Sequence, residues 1–360
     1  MLKIGIVGLS QVGKTTLFRI LTRAHGSGLE SKRPDVHLGV VHVPDARLDR
    51  LTEMFHPTKK VSASVEYLDT PGSVIELARS GSQAATLREV DALVHVVRSF
   101  EDEALPPAGG AVNPARDVEN VELELILSDL ASVEKRLDRL GKDLKKQKNP
   151  TLEKEVQIIE RCKQALEKQT PLREVGFAPD EEKVIRGFTF FTSKPMLYVL
   201  NLGEKDAAKA GAAEEFAARA GLKQRPKTEV TAVCGKVEAE LAEMSDADAA
   251  EFLSSYGLTE SAVSRLIRSS YHLLGLISFF TVGEDECRAW TIRAGTTAVA
   301  AAGEIHSDLE RGFIRAEVVP YEELVAAGGL AEARQRGTLK LEGKEYVVKD
   351  GEIVHIRHSA

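Results

Sequence analysis

The feature that most constrains the fold is a glycine-rich segment close to the N-terminus. The apolar run KIGIV is followed by GLSQVGKTTLF, Gly8 to Phe18, which fits the pattern G-x-x-x-x-G-K-[ST]. Glycines at these positions allow a tight turn from a strand into a helix, whose N-terminus and backbone N–H groups attract an anion. The segment therefore predicts a strand–loop–helix unit that binds phosphate. A glycine-rich turn with a surface lysine and no ligand is the alternative, and the position between a strand and a helix argues against it.

The residue types in this loop match the chemistry of nucleotide phosphates. Lys14 is expected to reach the β- and γ-phosphates, Thr15 to ligate Mg²⁺ and Thr16 to hydrogen-bond the α-phosphate. The backbone of the whole loop is expected to surround the β-phosphate. The predicted phosphate-binding residues here are Gly8, Ser10, Gln11, Val12, Gly13, Lys14, Thr15 and Thr16.

Composition restricts the class of protein further. With 360 residues, 43% of them hydrophobic and 29% charged, the chain can form two or three domains. No apolar run approaches the ~20 residues that a bilayer span needs, and no signal-peptide pattern is present. Three cysteines are too few for a disulfide framework, and a net charge of −7 disfavours nucleic-acid binding by the whole surface. We expect a cytoplasmic protein with no membrane partner.

Six short apolar runs alternate with helical patterns over the first two thirds of the chain. They are KIGIV, LGVVHV, ASVEYL, ALVHVV, MLYVLN and TEVTAV. This alternation predicts an α/β fold with a mostly parallel sheet. From about Ile277 the sequence is rich in strand patterns around the helical segment AAAGEIHSDLERG, which predicts a small α+β domain.

A helical hairpin is predicted between the fourth and fifth runs. Apolar residues there recur at alternating spacings of four and three, at Ile126, Leu130, Val133, Leu137, Leu140 and Leu144. Pro150 interrupts the pattern, which then resumes at Leu152, Val156, Ile159, Cys162 and Leu166. An antiparallel coiled-coil hairpin inserted in the α/β domain explains both stripes.

The distal part of this hairpin is basic. Seven Lys or Arg stand against two Asp in this stretch: Lys135, Arg136, Arg139, Lys142, Lys145, Lys146 and Lys148. A protruding basic tip suits RNA phosphates or a ribosomal surface. A solvated coiled-coil face explains the same charges without a partner.

Two further motifs follow later strands in the order typical of guanine-binding proteins. In YLDTPG, Asp69 is expected to hold Mg²⁺ through water, and the N–H of Gly72 to meet the γ-phosphate. NLGE stands where such proteins carry N-K-x-D, with Leu202 in place of the lysine and Glu204 in place of the aspartate. The extra methylene moves the carboxylate by more than ~1 Å, so guanine specificity is not expected. An exposed loop with no ligand is the alternative.

VCGK follows the sixth run, where such proteins close over the base with backbone N–H groups. The predicted base-binding residues are therefore Asn201, Leu202, Glu204, Cys234 and Gly235.

A family resemblance rests on segments spread over nearly the whole chain. They include GLSQVGKTTLFRILT, DALVHVVRSFEDE, VNPARDVENVELELILSDL, NLGEKD and, in the C-terminal third, RAWTIRAGTT with AAGEIHSDLERGFIRAEVV. Together they resemble the YchF subfamily of Obg-like P-loop NTPases. The resemblance implies a Ras-like P-loop G domain (1–127 and 186–274), a coiled-coil insertion (128–185) and a C-terminal TGS domain of β-grasp fold (275–360). It also implies association with ribosomes or the translation apparatus, and a preference for ATP.

The first switch segment departs from that family. Family members carry a threonine there that completes the Mg²⁺ shell, but no threonine occurs between Thr22 and Thr52. The shortened segment SGLESKRPDVHLGVV offers Ser27, Ser31 and Asp35 instead. One ligand of the triphosphate-bound state is therefore expected to be missing.

The residues that position the attacking water also differ. Ser73 follows Gly72, and counting back from VNP aligns Pro107 with the family's catalytic histidine. Proline cannot orient a water through its side chain. Ser73 and Gln83 are weak candidates for that role, or ordinary surface residues. Nucleotide binding with weak or partner-dependent hydrolysis is therefore expected.

Three functions remain open at this point. The first is a regulator in which bound ATP or GTP alters how the hairpin and the C-terminal domain meet a ribosome-like partner. The second is an active ATP or GTP hydrolase. The third is a nucleotide kinase with the hairpin as a lid, against which DTPG and NLGE in strand order argue.

Overall fold

The computed structural model describes residues 2–29, 36–70, 72, 81–107, 110–146, 149–222 and 225–359. Side chains at 24–29, 81–83 and 246 lie outside that description.

Strands and helices over these residues follow the chain in the following order. The strands are β1 (Lys3–Val7), β2 (Gly26–Leu29), β3 (His37–His42), β4 (Lys59–Val61), β5 (Ser64–Asp69), β6 (Ala92–Ser99), β7 (Met196–Leu202), β8 (Thr228–Val233), β9 (Leu276–Thr281), β10 (Glu286–Arg293), β11 (Phe313–Pro320), β12 (Lys340–Glu342) and β13 (Glu352–His358). The helices are α1 (Lys14–His25), α2 (Ala46–Phe55), α3 (Gly81–Arg88), α4 (Pro114–Lys146), α5 (Pro150–Glu167), α6 (Pro179–Arg186), α7 (Ala213–Arg219), α8 (Gly235–Leu241), α9 (Asp246–Ser255), α10 (Ala262–Leu273), α11 (Ala298–Ile305), α12 (Ser307–Arg311), α13 (Tyr321–Ala327) and α14 (Leu330–Gln335). Short 3₁₀ turns occupy Leu172–Glu174, Phe191–Ser193 and Glu204–Lys209.

The chain divides into two compact units. The first comprises Met1–Val40 and Glu66–Ser269, and the second comprises Val41–Val65 and Ser270–Ala360. Residues 41–65 therefore group with the C-terminal residues, whereas the hairpin groups with the first unit. The boundaries predicted for the three domains stay a prediction.

The sheet of the first unit is built around the strand that precedes the glycine-rich loop. Its order is β2-β3-β5-β1-β6-β7-β8, and the strands from β5 to β8 pair in parallel. All six predicted runs form strands of this sheet, which confirms the α/β prediction. Because parallel strands present their carboxyl ends at one edge, the loops after β1, β5, β7 and β8 meet there.

The predicted helical hairpin is confirmed. α4 continues without a break to Lys146, and the side chain of Asn149 caps α5 by accepting from the N–H of Thr151 at 2.9 Å. The predicted apolar stripes meet in one core, whose fully buried members include Ile126, Val133, Leu140, Ile159, Cys162 and Leu166. The spacing of seven thus places one face of each helix against the other.

Asp129, a fully buried carboxylate of α4, anchors the base of this hairpin. It accepts hydrogen bonds from the backbone N–H groups of Phe191 (3.1 Å) and Thr192 (2.7 Å), and from Thr192 Oγ1 (2.8 Å). Arg88, at the end of α3, completes the contacts at 3.2 Å. One side chain therefore joins three segments of the first unit.

The second unit has a six-stranded sheet of order β12-β11-β13-β9-β10-β4. α11 packs on it over a core that includes Phe279, Ile292, Ala301 and Phe313. Trp290 stacks on Phe279 with ring centroids 6.3 Å apart. The C-terminal α+β prediction is confirmed, and these aromatic residues belong to its core.

One helical prediction is wrong in detail. AAAGEIHSDLERG is not one helix, since His306 separates α11 from α12 and caps α12 by accepting the N–H of Asp308 at 3.1 Å. The alanine-rich segment near Gly211 forms a 3₁₀ turn and the short α7, because glycine costs ~1 kcal/mol within a helix. Over the described part of the chain, no helix is both long and apolar enough to cross a membrane.

Candidate nucleotide-binding site

The glycine-rich loop lies between β1 and α1, as its sequence predicts. Gly8 has φ 150° and Gly13 has φ 100°, conformations that other residues rarely adopt. A Cβ on Gly8 would lie 2.6 Å from the Val96 carbonyl oxygen, and a Cβ on Gly13 would lie 2.5 Å from Asn201 Nδ2. Both glycines are therefore required by the close packing of the loop against β6 and β7.

Lys14 begins α1 and folds back over the loop. Its Nζ donates to the carbonyl oxygens of Leu9 at 2.6 Å and Gly8 at 3.2 Å. The side chain is only 7% exposed, so its charge is held beside the N-terminus of α1. A buried cation at a helix N-terminus concentrates positive potential where phosphate is expected to bind.

Thr15 and Asp69 bring the ends of two neighbouring segments together. Thr15 Oγ1 donates to Asp69 Oδ2 at 2.9 Å, and Asp69 is fully buried at the end of β5. Burial raises the pKa of this carboxyl, against the opposing effects of the Thr15 hydrogen bond and the charge of Lys14.

The same pair fits a magnesium ion. Asp69 Oδ1 is buried with no hydrogen-bond partner among the described residues, so it is available to an ion or to its waters. Hydroxyl and carboxylate oxygens are the ligands that Mg²⁺ prefers, and it is usually held by one or two of them together with phosphate rather than by a cage of side chains. The described residues contain no group of three or more His, Cys, Asp or Glu that could hold a metal.

Asn201 connects the phosphate side of the site to the predicted base side. Its Nδ2 donates to the Val12 carbonyl oxygen at 3.0 Å, and its Oδ1 accepts the N–H of Gly235 at 3.0 Å. The side chain is 8% exposed. It thus fixes the glycine-rich loop and the start of α8 relative to the end of β7.

Glu204 follows β7 and pairs with a lysine that the sequence analysis did not single out. Lys236 Nζ lies 2.9 Å from Glu204 Oε2, with both side chains more than half exposed. The nearby VCGK motif was recognised, but only for its backbone. Nothing in the sequence could show this pairing, because it depends on the loops after β7 and β8 lying side by side.

The other predicted base-binding side chains point inward. Leu202 is 2% exposed and belongs to the core of the first unit, and Cys234 is 3% exposed. Burial raises the pKa of the Cys234 thiol, so it remains protonated. A contact between either residue and a base therefore stays a prediction.

The structure describes only some of the residues that were predicted to position the attacking water. Ser73 lies outside the described residues, and Gln83 lies in α3 at a position whose side chain is outside them. Gly72 is exposed with φ 101°, and the carbonyl oxygen of Pro107 accepts the N–H of Gly110 at 3.1 Å. Of the first switch candidates, Ser31 and Asp35 lie outside the described residues, as does the side chain of Ser27.

The predicted basic residues of the hairpin fall into two groups. The exposed ones are Lys135, Arg139, Lys142, Lys145 and Lys146. Arg136 is half-buried and donates from Nε and Nη2 to Glu155 of α5 at 2.8 and 2.9 Å, so it joins the two helices. Lys148 lies outside the described residues.

The edge of the sheet therefore combines a phosphate loop, a threonine–aspartate pair suited to Mg²⁺ and an asparagine that joins the loop to the base side. P-loop GTPases share this combination, and the chain is a nucleotide-binding protein of that class.

Relatives of similar length narrow the class to one family. The chain is 43% identical to the ribosome-binding ATPase YchF of Bacillus subtilis over 98% of both chains, and 38% identical to that of Escherichia coli O157:H7 over 98% of both. The chain belongs to the YchF family. The structure of the Schizosaccharomyces pombe YchF GTPase is similar, with a TM-score of 0.84 and 30% identity over 99% of this chain and 97% of that one.

Two family models match separate parts of the chain. Residues 3–128 match MMR_HSR1, described as 50S ribosome-binding GTPase. Residues 276–359 match YchF-GTPase_C, described as a protein of unknown function (DUF933). The family resemblance that the sequence predicted is therefore confirmed over both units.

Proposed function

We propose that this chain is a cytoplasmic regulator that binds Mg²⁺ with ATP or GTP and associates with ribosomes in a nucleotide-dependent way. The observation that carries the proposal is the arrangement of Lys14, Thr15 and Asp69 at one edge of the sheet. The relatives' name, ribosome-binding ATPase, supports the partner.

The proposed roles follow from the contacts of each residue. Lys14 exchanges its two carbonyl partners for phosphate oxygens, and the loop N–H groups surround the β-phosphate. Thr15 and Asp69 would hold Mg²⁺, which neutralises phosphate charge when bound. Asn201 keeps the loop in register with the base side.

Hydrolysis is proposed to be weak or to depend on the partner. Phosphoryl transfer to water requires a group that orients the attacking water. Pro107 cannot supply one through its side chain, and Ser73 and Gln83 remain candidates only. A nucleotide that stays bound without cleavage sets the state of the protein and does not supply energy through hydrolysis.

Base choice is proposed to favour ATP, or to be indifferent. Guanine recognition needs a carboxylate that accepts two N–H bonds, and the carboxylate of Glu204 is already engaged by Lys236 at 2.9 Å. We expect Mg²⁺-ATP to bind at least as tightly as Mg²⁺-GTP in an equilibrium titration. A GTP preference of about a hundredfold would contradict this.

Two variants sharpen that titration. Glu204→Asp should shift selectivity toward guanine, because it restores the residue type of the guanine-binding motif. Glu215→Asp is the matched control, since Glu215 is an exposed glutamate paired with Arg219 at 3.0 Å on α7, and it should leave both affinities unchanged.

An active hydrolase is the second candidate. It is favoured by the word ATPase in the relatives' name and shares every binding residue with the first. The two differ in turnover, not in affinity.

The exposed hairpin lysines and Arg139 are proposed to contribute to ribosome contact. Co-sedimentation of the wild-type chain with ribosomes, in the presence of ATP, a non-hydrolysable ATP analogue or ADP, tests the partner itself. Absence of co-sedimentation in every nucleotide state would refute it.

A further inference from the structure

His37 is the first residue of β3, and its side chain is exposed. Its ring makes no hydrogen bond or ion pair with the residues that the structure describes. An imidazole carries at least one N–H group whether it is neutral or protonated, so His37 presents a hydrogen-bond donor in either form. The ring is therefore a donor for which the described part of the fold provides no acceptor.

One face of α1 connects His37 with the threonine–aspartate pair of the nucleotide site. Thr15, Phe18 and Thr22 follow each other at spacings of three and four, so they lie on the same side of the helix. Thr15 donates to Asp69 at 2.9 Å, whereas the ring of Phe18 packs on that of His37 with centroids 6.2 Å apart. Along α1, the residue that contacts His37 is thus about one turn, ~5 Å, from the residue that binds the carboxylate.

The packing of Gly39 sets the direction in which β3 crosses α1. A Cβ on Gly39 would lie 2.2 Å from Thr22 Cγ2 and 3.2 Å from Phe18 Cζ, so the strand lies directly against this face of the helix. Side chains two residues apart in a strand lie on one face, so His37 and Gly39 both face α1. From Gly39 back to His37 the strand therefore runs from Thr22 toward Phe18, which is toward the glycine-rich loop.

The charge of His37 also acts on the predicted magnesium ligand. Burial raises the pKa of the Asp69 carboxyl, and the charges of Lys14 and His37 are among the effects that oppose this rise. A cation near a carboxylate favours its ionised form. The electrostatics therefore agree with the packing in placing His37 on the Asp69 side of the nucleotide site.

The terminal phosphate of a nucleoside triphosphate is the acceptor that suits this donor. In P-loop proteins Mg²⁺ bridges the β- and γ-phosphates, so the γ-phosphate lies beside the groups that hold the ion. Hydrogen bonds to such charged oxygens are roughly twice as strong as those between neutral groups. A nucleoside diphosphate lacks this phosphate and so cannot use the same donor.

We propose that His37 donates a hydrogen bond to the γ-phosphate of bound ATP or GTP and thereby distinguishes the triphosphate from the diphosphate. The inference rests on the proposed nucleotide binding and deepens it, because it names the residue that distinguishes the two nucleotide states. It gives the first switch, which lacks the family's threonine, a contact of different chemistry with the triphosphate.

The test is an equilibrium titration of the full chain with Mg²⁺-ADP and with the Mg²⁺ complex of a non-hydrolysable ATP analogue. His37→Phe keeps an aromatic ring against Phe18 and removes the donor. We expect this variant to bind the analogue about tenfold more weakly and to bind ADP as the wild type does. His37→Gln keeps a donor, so its loss of affinity for the analogue should be smaller.

His42→Phe is the matched control for these variants. His42 is an exposed histidine at the other end of β3. Its replacement should leave the affinities for both nucleotides unchanged.

Three results would overturn the proposal. Unchanged affinity of His37→Phe for the analogue would show that the ring makes no contact with the γ-phosphate. Equal weakening of analogue and ADP binding would show that the histidine has only a structural role. A loss in His37→Gln equal to or larger than that in His37→Phe would show that the donor is not what matters.

Failure of the proposed function gives a different result. The wild type itself would then bind neither ADP nor the analogue. Failure of the inference about His37 alone leaves wild-type binding of both nucleotides intact.

Discussion

At the scale of single residues, the phosphate side of the site follows from sequence and the base side does not. Lys14, Thr15 and Asp69 are fixed by motifs whose spacing matches the chemistry, and the structure brings them together. Lys236 was missed because its partner Glu204 is distant in the chain. Motifs report local geometry, whereas ion pairs between loops depend on the completed sheet.

His95 is a buried residue whose charge state sets a pH dependence. It lies on β6 beside Val7, is 1% exposed, and its ring lies 5.7 Å from that of Tyr198. Burial lowers its pKa from 6.5 to about 4, with the charges of Lys14 and Arg173 acting in the same direction and Glu122 opposing. The imidazole is therefore neutral at physiological pH.

The pH dependence has a defined sign. Between pH 6.5 and about 4 the unfolded chain binds a proton at His95 that the folded chain does not, so stability is complete above pH 6.5 and is lost as the pH falls. From pH 7 to pH 5 this amounts to about 2 kcal/mol. His95→Phe keeps an aromatic ring at this position and should make the unfolding free energy of the first unit less sensitive to pH by that amount. Urea titrations at pH 7, 6 and 5 measure it, and parallel pH profiles for the two proteins would contradict it.

At the scale of elements, the regular spacing of apolar residues predicted which segments form buried strands and helices. The six apolar runs form strands and the two hairpin stripes form helices, because the spacing of apolar residues in each places those residues in the core. β2 and β4 were missed because they are short, of four and three residues, and β4 reads KKV with two exposed lysines. The break at His306 depends on a side-chain cap that a helical pattern does not reveal.

The hydrogen bonds of Asp129 at the base of the hairpin give a prediction at this scale. Asp129→Ala removes the acceptor of two backbone N–H groups and one hydroxyl in a buried position, and should lower the unfolding free energy by about 2 to 5 kcal/mol. Asp138→Ala, at an exposed position of the same helix, is the control and should change it by less than about 0.5 kcal/mol. Equal effects of the two substitutions in urea unfolding would show that the hydrogen bonds of Asp129 do not stabilise the fold.

At the scale of the whole molecule, sequence resemblance identified the family, whereas the grouping of residues into two compact units is seen only in the structure. Residues 41–65 group with the C-terminal unit, although the strand pattern on either side of them belongs to the first unit. Such grouping depends on contacts made across more than two hundred residues of chain, as between Arg47 and Asp350 at 2.7 Å. The weak periodicity of residues 41–65 does not indicate by itself which unit they join.

The central claim is that the P-loop binds a nucleotide firmly and cleaves it only slowly. Single-turnover hydrolysis of Mg²⁺-ATP, with excess protein and with or without ribosomes, tests this directly, because binding and cleavage are followed in one experiment. We expect bound ATP to remain largely intact without ribosomes and Lys14→Ala to abolish binding. Rapid cleavage in the absence of ribosomes, abolished by Lys14→Ala, would contradict the claim and identify the chain as an active hydrolase.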